Sequence, residues 1–186
     1  MSETRDGEVL ALQIGRPLRA HSCVLRRCNL DLPIVAEVPP LLDSGEPFPT
    51  RYWLTCPLAH RRIARIEARG GVRDAQAKVD SDPALAAAVR ETHARYAEER
   101  DALLPENSQH RPSGGVGGSS GGVKCLHAHY ADFAAGHDNP IGREVAAEIG
   151  EPRCETPCVT FVDGKLLRNP DWREPTRGPS DETDGQ

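Results

Sequence analysis

The sequence predicts an α+β domain in which a small antiparallel sheet packs with several helices. Three features carry that expectation. Residues 20–55 hold three short runs of strand character separated by turn residues, and residues 57–104 and 124–149 show helical periodicity with proline starts and glycine stops. Val159 to Leu167 forms two apolar runs about Asp163-Gly164, the signature of a hairpin. The domain is expected to span 1–168, with a flexible Gly-rich loop at 105–122 inside it and a disordered tail at 169–186.

In chain order, residues 8–15 read as a short helix closed by Gly15, because Arg16-Pro17 forbids continuation. From Ala20 to Cys28 the residues alternate, with His21, Cys23 and Leu25 on one strand face and Val24 and Arg26 on the other, which makes mid-strand Cys23 a packing residue. Ile34 to Val38 is a second strand ended by Pro39-Pro40, and Thr50 to Thr55 a third whose aromatics suit a pleated surface. Pro57 fits the first turn of a helix capped by Thr55 or Cys56. In that helix, about 58–69, Leu58, Ile63 and Ile66 share a buried stripe, while Arg61, Arg62, Arg65 and Arg69 face solvent until Gly70-Gly71. Asp80-Ser81-Asp82-Pro83 caps a long helix, 84–104, with Leu85, Val89, Tyr96 and Leu103 inward and Arg95 and Glu99 in the solvated surface. Lys124 to Ala135 reads as helix, and Asn139-Pro140 starts another that ends at Gly150.

Composition narrows the function classes. Hydrophobic residues are 38% of the 186, with three Phe, three Tyr and two Trp, so the core rests on Leu, Val, Ile and Ala. A net charge of −5 without a dense Lys/Arg block removes the usual electrostatic source of nucleic-acid binding. No apolar run approaches the roughly 20 residues that cross a bilayer, and Met1 to Gly7 lacks the form of a signal peptide, so a cytoplasmic protein without membrane or nucleic-acid partners is expected. In a reducing compartment six cysteines stay unpaired, and metal ligation is the natural use for them.

The chemistry centres on Cys125-Leu126-His127-Ala128-His129. On a helix, Cys125 and His129 project from one face and reach a single ion while His127 points elsewhere; in an extended segment all three share a side. A buried thiol near two exposed imidazoles is the bland alternative. Cys154-Glu155-Thr156-Pro157-Cys158 adds a second pair at a looser spacing than a zinc knuckle. Cys56 stands at a strand-to-helix junction, where free helix N–H groups favour a thiolate, either as ligand or as nucleophile. Cys28 ends the first strand at a comparable position. Sulfur and imidazole donors suit zinc or an iron–sulfur cluster. Cys28, Cys56, Cys125 and Cys158 form one candidate set, and Cys125, His129, Cys154 and Cys158 another; the sequence does not choose between them. Arg51 near Cys56 is a candidate for holding an anionic substrate. The glycine run fails the phosphate-loop pattern, since Lys124 is followed by Cys125.

Pro47 to Pro57, with Thr50-Arg51-Tyr52-Trp53-Leu54-Thr55-Cys56-Pro57, and Val123 to Ala131, around Lys124-Cys125-Leu126-His127-Ala128-His129, carry a family resemblance. Together with Arg27-Cys28, Ile66-Glu67 and Asn139-Pro140-Ile141-Gly142, they make the chain similar, from about Gln13 to Val159, to the bacterial family known as domain of unknown function 501. The resemblance implies no activity. It does imply that Cys28, Cys56, Cys125, His127, His129 and Cys158 are motif positions.

Three expectations follow. The first is an uncharacterised protein with a Cys/His metal centre, zinc or iron–sulfur, that joins parts distant in sequence. The second is an enzyme: a metal-dependent hydrolase with a histidine acid/base partner, or a thiol enzyme using Cys56. The third is a non-catalytic module presenting helices 58–69 and 84–104 to a protein partner.

Overall fold

A computed structural model describes residues 3–176. Helix α1 (Glu3–Ile14) starts five residues earlier than the sequence pattern predicts and stops at Gly15, whose φ of 77° is left-handed. Strands β1 (Cys23–Arg27), β2 (Pro33–Glu37) and β3 (Tyr52–Leu54) then form an antiparallel sheet with β2 in the middle. Its position explains why Pro33 to Ala36 are all buried. Edge strand β1 does not keep the expected alternation: its register slips between Val24 and Arg26 and again before Arg27, and irregularities of this kind re-aim side chains. Cys23 therefore begins the strand in solvent instead of packing, and Leu25 is 44% exposed.

Helix α2 (Pro57–Ala68) opens with its proline in the first turn and Cys56 at the N-cap. Leu58, Ile63 and Ile66 are buried as expected, but so is Arg62, whose Nη1 donates to the Ile149 carbonyl at 2.6 Å. Gly70, at φ 95°, turns the chain directly into α3 (Gly71–Ser81), a helix that the glycine pair conceals in the sequence. Asp82 caps α4 (Pro83–Asp101) by accepting from the Ala84 and Leu85 amides. Val89 and Tyr96 are in the core, whereas Leu103 lies beyond the helix end and is half exposed.

The glycine-rich segment is packed. Buried Arg100 donates to the carbonyls of Gly114 (2.6 Å) and Pro112 (3.1 Å), Val116 is 1% exposed within a short 3₁₀ turn (Val116–Gly118), and its amide donates to His93 Nδ1 at 3.0 Å. Glycine is needed here for closeness: a Cβ on Gly115 would stand 2.4 Å from His93 Nδ1.

Helices α5 (Leu126–Ala134) and α6 (Pro140–Ile149) follow, the second capped by Asn139. They cross with Gly142 against the His129 carbonyl, where a Cβ would come within 2.3 Å. α5 also packs on β3 and α2, and the main core forms between this helical layer and the sheet. Strands β4 (Val159–Val162) and β5 (Lys165–Arg168) make the expected hairpin through Asp163 and Gly164, both at positive φ, and lie beside α1. The chain after Asn169 is fixed as far as 176: Trp172 packs against the core and Glu174 pairs with Arg65 at 2.5 Å. The rest of the expected disordered tail, 177–186, lies outside the described residues. Among the described residues no helix is long and apolar enough to cross a membrane.

Candidate metal centre

Cys125 is extended, with φ −154° and ψ 121°, and serves as the N-cap of α5. Its thiol makes no capping bond; the free amide of Leu126 is instead received by Glu67 Oε1 at 2.7 Å, from the last turn of α2. A carboxylate is well placed there, since a helix N-terminus favours negative charge. That contact brings Glu67 to His127. The imidazole Nδ1 lies 3.2 Å from Glu67 Oε1 and 4.0 Å from Cys125 Sγ, while Nε2 faces the His60 carbonyl at 3.1 Å. Glu67, Cys125 and His127 each offer one donor atom, all within 4.8 Å of one another and each partly buried, and could hold a metal ion.

The spacing suits a tetrahedral ion. With bonds of about 2.05 Å to nitrogen and oxygen and about 2.3 Å to sulfur, neighbouring donors stand about 3.3 Å (N to O) and about 3.6 Å (N to S) apart. Observed separations of 3.2 and 4.0 Å need only a few tenths of an ångström of closure. The Nε2–H bond to the His60 carbonyl leaves the Nδ1 lone pair for the ion, the outer-shell arrangement that fixes the tautomer of a ligating histidine. Without metal the same surroundings favour a proton at that place. Burial alone would lower the His127 pKa, but the Cys125, Glu67 and His60 acceptors around the ring outweigh it and raise the pKa. His60, whose ring centroid is 4.4 Å from that of His127, is shifted downward by burial and by the neighbouring histidine.

The helical pairing expected for Cys125 and His129 does not form. Helical geometry begins only after Cys125, so the four-residue spacing no longer places both side chains on one face. His129 is 1% exposed and points between α4 and α6: Nδ1 meets Asn139 Oδ1 at 3.1 Å, and its ring stacks edge-on to His93. Asn139 Oδ1 also accepts from the Gly142 amide, and Asn139 Nδ2 donates to Asp132 Oδ2, which takes Arg95 Nη2 as well. Arg95 thus neutralises a fully buried carboxylate instead of serving as ordinary solvated surface. Burial pushes the Asp132 pKa up against the pull of Asn139 and Arg95, and pushes the His129 pKa down to about 4.

Four of the remaining candidates converge elsewhere. Cys28, Cys56, Cys154 and Cys158 line one cavity beside Trp172. Cys56 does not have the low pKa that its helix-cap position predicts. The Leu58 and Ala59 amides favour its thiolate, but burial dominates, and the pKa is pushed up to about 12. Arg51 forms an ion pair with Glu37 at 2.5 Å and bonds the Tyr52 hydroxyl through Nε, with its side chain 11% exposed.

Sequence periodicity had no means of selecting Glu67, because its role depends on a contact between α2 and the start of α5. Its one signal is its place beside Ile66 in the shared motif. A family model described as "Protein of unknown function (DUF501)" matches residues 24–147, two thirds of the chain, which include Cys28, Cys56, Glu67, Cys125 and His127 but stop short of Cys154 and Cys158. No curated protein and no solved structure matches the chain.

Proposed function

Because this chain belongs to the DUF501 family, whose description carries no activity, we propose from the geometry that it is a metalloprotein with one zinc-type ion bound by Glu67, Cys125 and His127. The observation that carries the reading is the approach of a carboxylate and a thiol to His127 Nδ1, while its other nitrogen is committed to the His60 carbonyl. One thiolate, one imidazole and one carboxylate make a borderline donor set that favours zinc over calcium or magnesium. Three protein donors leave a fourth position for water or substrate, as in zinc sites that act as Lewis acids.

The test is titration of the metal-free chain with cobalt(II), whose bond to sulfur is visible as an absorption band. One equivalent should bind with such a band at Cys125. His127→Ala should abolish it, and Glu67→Gln should weaken binding at least about tenfold. Unchanged cobalt affinity in both variants would sink the reading.

A hydrolase is a second reading, supported by His60, which is held neutral beside the centre and borders a surface cavity of about 330 Å³ that Arg16 and Arg61 also line. It expects hydrolysis of an anionic ester by the zinc-loaded chain, lost in His60→Ala with zinc retained. Equal turnover in that variant would exclude His60 as the base.

A further inference from the structure

Four of the six cysteines meet at one place, brought there by different parts of the fold. Cys28 follows β1 in a tight turn, its amide bonded to the Leu32 carbonyl, with Asp31 at φ 58°. Cys56 caps α2, and Cys154 and Cys158 flank the turn that leads into β4. These segments are clamped together. Asn29 donates to the Cys154 carbonyl at 2.9 Å and accepts from the Cys154 amide at 3.1 Å, so that Cys154 is fixed beside Cys28. Asn169 bonds the carbonyls of both Pro157 and Cys158.

Two of the sulfurs accept a hydrogen bond from an N–H group. The Leu30 amide donates to Cys28 Sγ at 3.4 Å, and Gln13 Nε2 to Cys158 Sγ at 3.5 Å. The Leu58 and Ala59 amides favour the Cys56 thiolate without closing a capping bond. Burial raises the Cys154 pKa, opposed in part by the indole N–H of Trp172, which is buried with no well-formed hydrogen bond of its own. Burial raises the pKa of Cys56, Cys154 and Cys158, so a thiolate here needs a metal partner, and metal-bound thiolates are held and tuned by N–H···S contacts of this kind.

The spacing of the sulfurs discriminates between occupants. One zinc ion holds its sulfurs at about 2.3 Å, with tetrahedron edges of about 3.8 Å. Among the described residues no three of these sulfurs lie within 4.8 Å of one another. The sulfurs therefore stand further apart than a single zinc ion holds them, a spacing that suits a group giving each thiolate a metal atom of its own.

We propose that Cys28, Cys56, Cys154 and Cys158 bind an iron–sulfur cluster, separate from the zinc-type centre at His127. Each thiol releases its proton to solvent as its sulfur takes an iron. The cluster links the β1 turn, the start of α2 and the 154–158 loop.

The full chain, produced with iron and purified anaerobically, provides the test. Equal iron and acid-labile sulfide, with a brown colour that fades on reduction, is the expected result. Cys28→Ser and Cys158→Ser should each lose most of the iron, while Cys23→Ser and Cys125→Ser retain it. Since a cysteine variant can also fail by misfolding, alkylation of the unaltered chain gives an independent reading. Cys28, Cys154 and Cys158 should be protected in the brown protein and become reactive together once a chelator has removed the iron, with Cys23 reactive throughout. Zinc without sulfide, iron loss in Cys125→Ser, or the same alkylation before and after chelation would each overturn the proposal.

Discussion

Replacing His129 with glutamine separates a buried structural histidine from a metal ligand in a single variant. The folded pKa of about 4, against an ordinary value near 6.5, reflects burial first, with the Asn139 bond partly opposing and His93 reinforcing it. Protonation then costs the folded state about 3 kcal/mol more than the unfolded chain. The sign follows from proton counting: between pH 6.5 and 4 the unfolded chain binds the extra proton, so stability is present above that window and is lost as pH falls through it. Between pH 7 and pH 5 the loss attributable to His129 is about 2 kcal/mol. Glutamine can still donate to Asn139 Oδ1 and does not titrate. Urea unfolding followed by circular dichroism at pH 7, 6 and 5 should therefore show the wild-type advantage over His129→Gln shrinking by about 2 kcal/mol. His93, also shifted down by burial, and Asp132, shifted up, remain in both proteins and cancel in the difference. Parallel pH curves would refute the burial argument, and loss of bound metal in the variant would refute the placement of His129 outside the metal centre.

Two further perturbations probe the fold around the sites. Gly115→Ala should destabilise by about 1–3 kcal/mol in the same unfolding assay, because its Cβ would press on His93, whereas Gly7→Ala in α1, with only Leu18 at 3.8 Å, should be neutral or stabilising by up to about 1 kcal/mol. Equal effects would mean that the glycine-rich segment is not packed. Arg62→Met should cost about 1–3 kcal/mol by orphaning the buried Ile149 carbonyl, while Arg65→Met, which removes only an exposed pair with Glu174, should stay within about 0.5 kcal/mol.

The helices and strands were largely legible because local rules decide them: Pro57, Pro83 and Pro140 mark helix starts, Asp82 and Asn139 are caps, and Asp163-Gly164 is a hairpin turn. Sequence and structure part where charge or glycine masks the helical geometry. Arg62 stands about 40° round the helix from both Leu58 and Ile66, inside the buried stripe, and only its charge argued for solvent. Val72, Ala75 and Val79 have helical spacing, but the glycine pair before them reads as a break and conceals α3. The site was legible as a set of residue types and not as a partition. Nothing local says that Cys125 joins Glu67 or that Cys28 joins Cys154, since the first depends on how α2 meets α5 and the second on the two-point clamp from Asn29.

That partition gives α2 a particular importance. Cys56 caps its start and Glu67 occupies its last turn, about 16 Å further along the helix axis. One proposed centre therefore draws on the beginning of the helix and the other on its end, with the His60 carbonyl orienting His127 between them. Arg62 ties the middle of the same helix to the end of α6 through the Ile149 carbonyl. A buried guanidinium is an expensive way to fill a core, and an apolar side chain of similar size would avoid its desolvation. Its bond, however, sets the position of α2 along its axis, which a nonpolar contact specifies poorly. Arg62→Met should consequently weaken cobalt binding at His127 and lower the iron retained at the four cysteines together, although it removes a ligand from neither. A loss of stability with both metal contents unchanged would show that Arg62 serves packing alone.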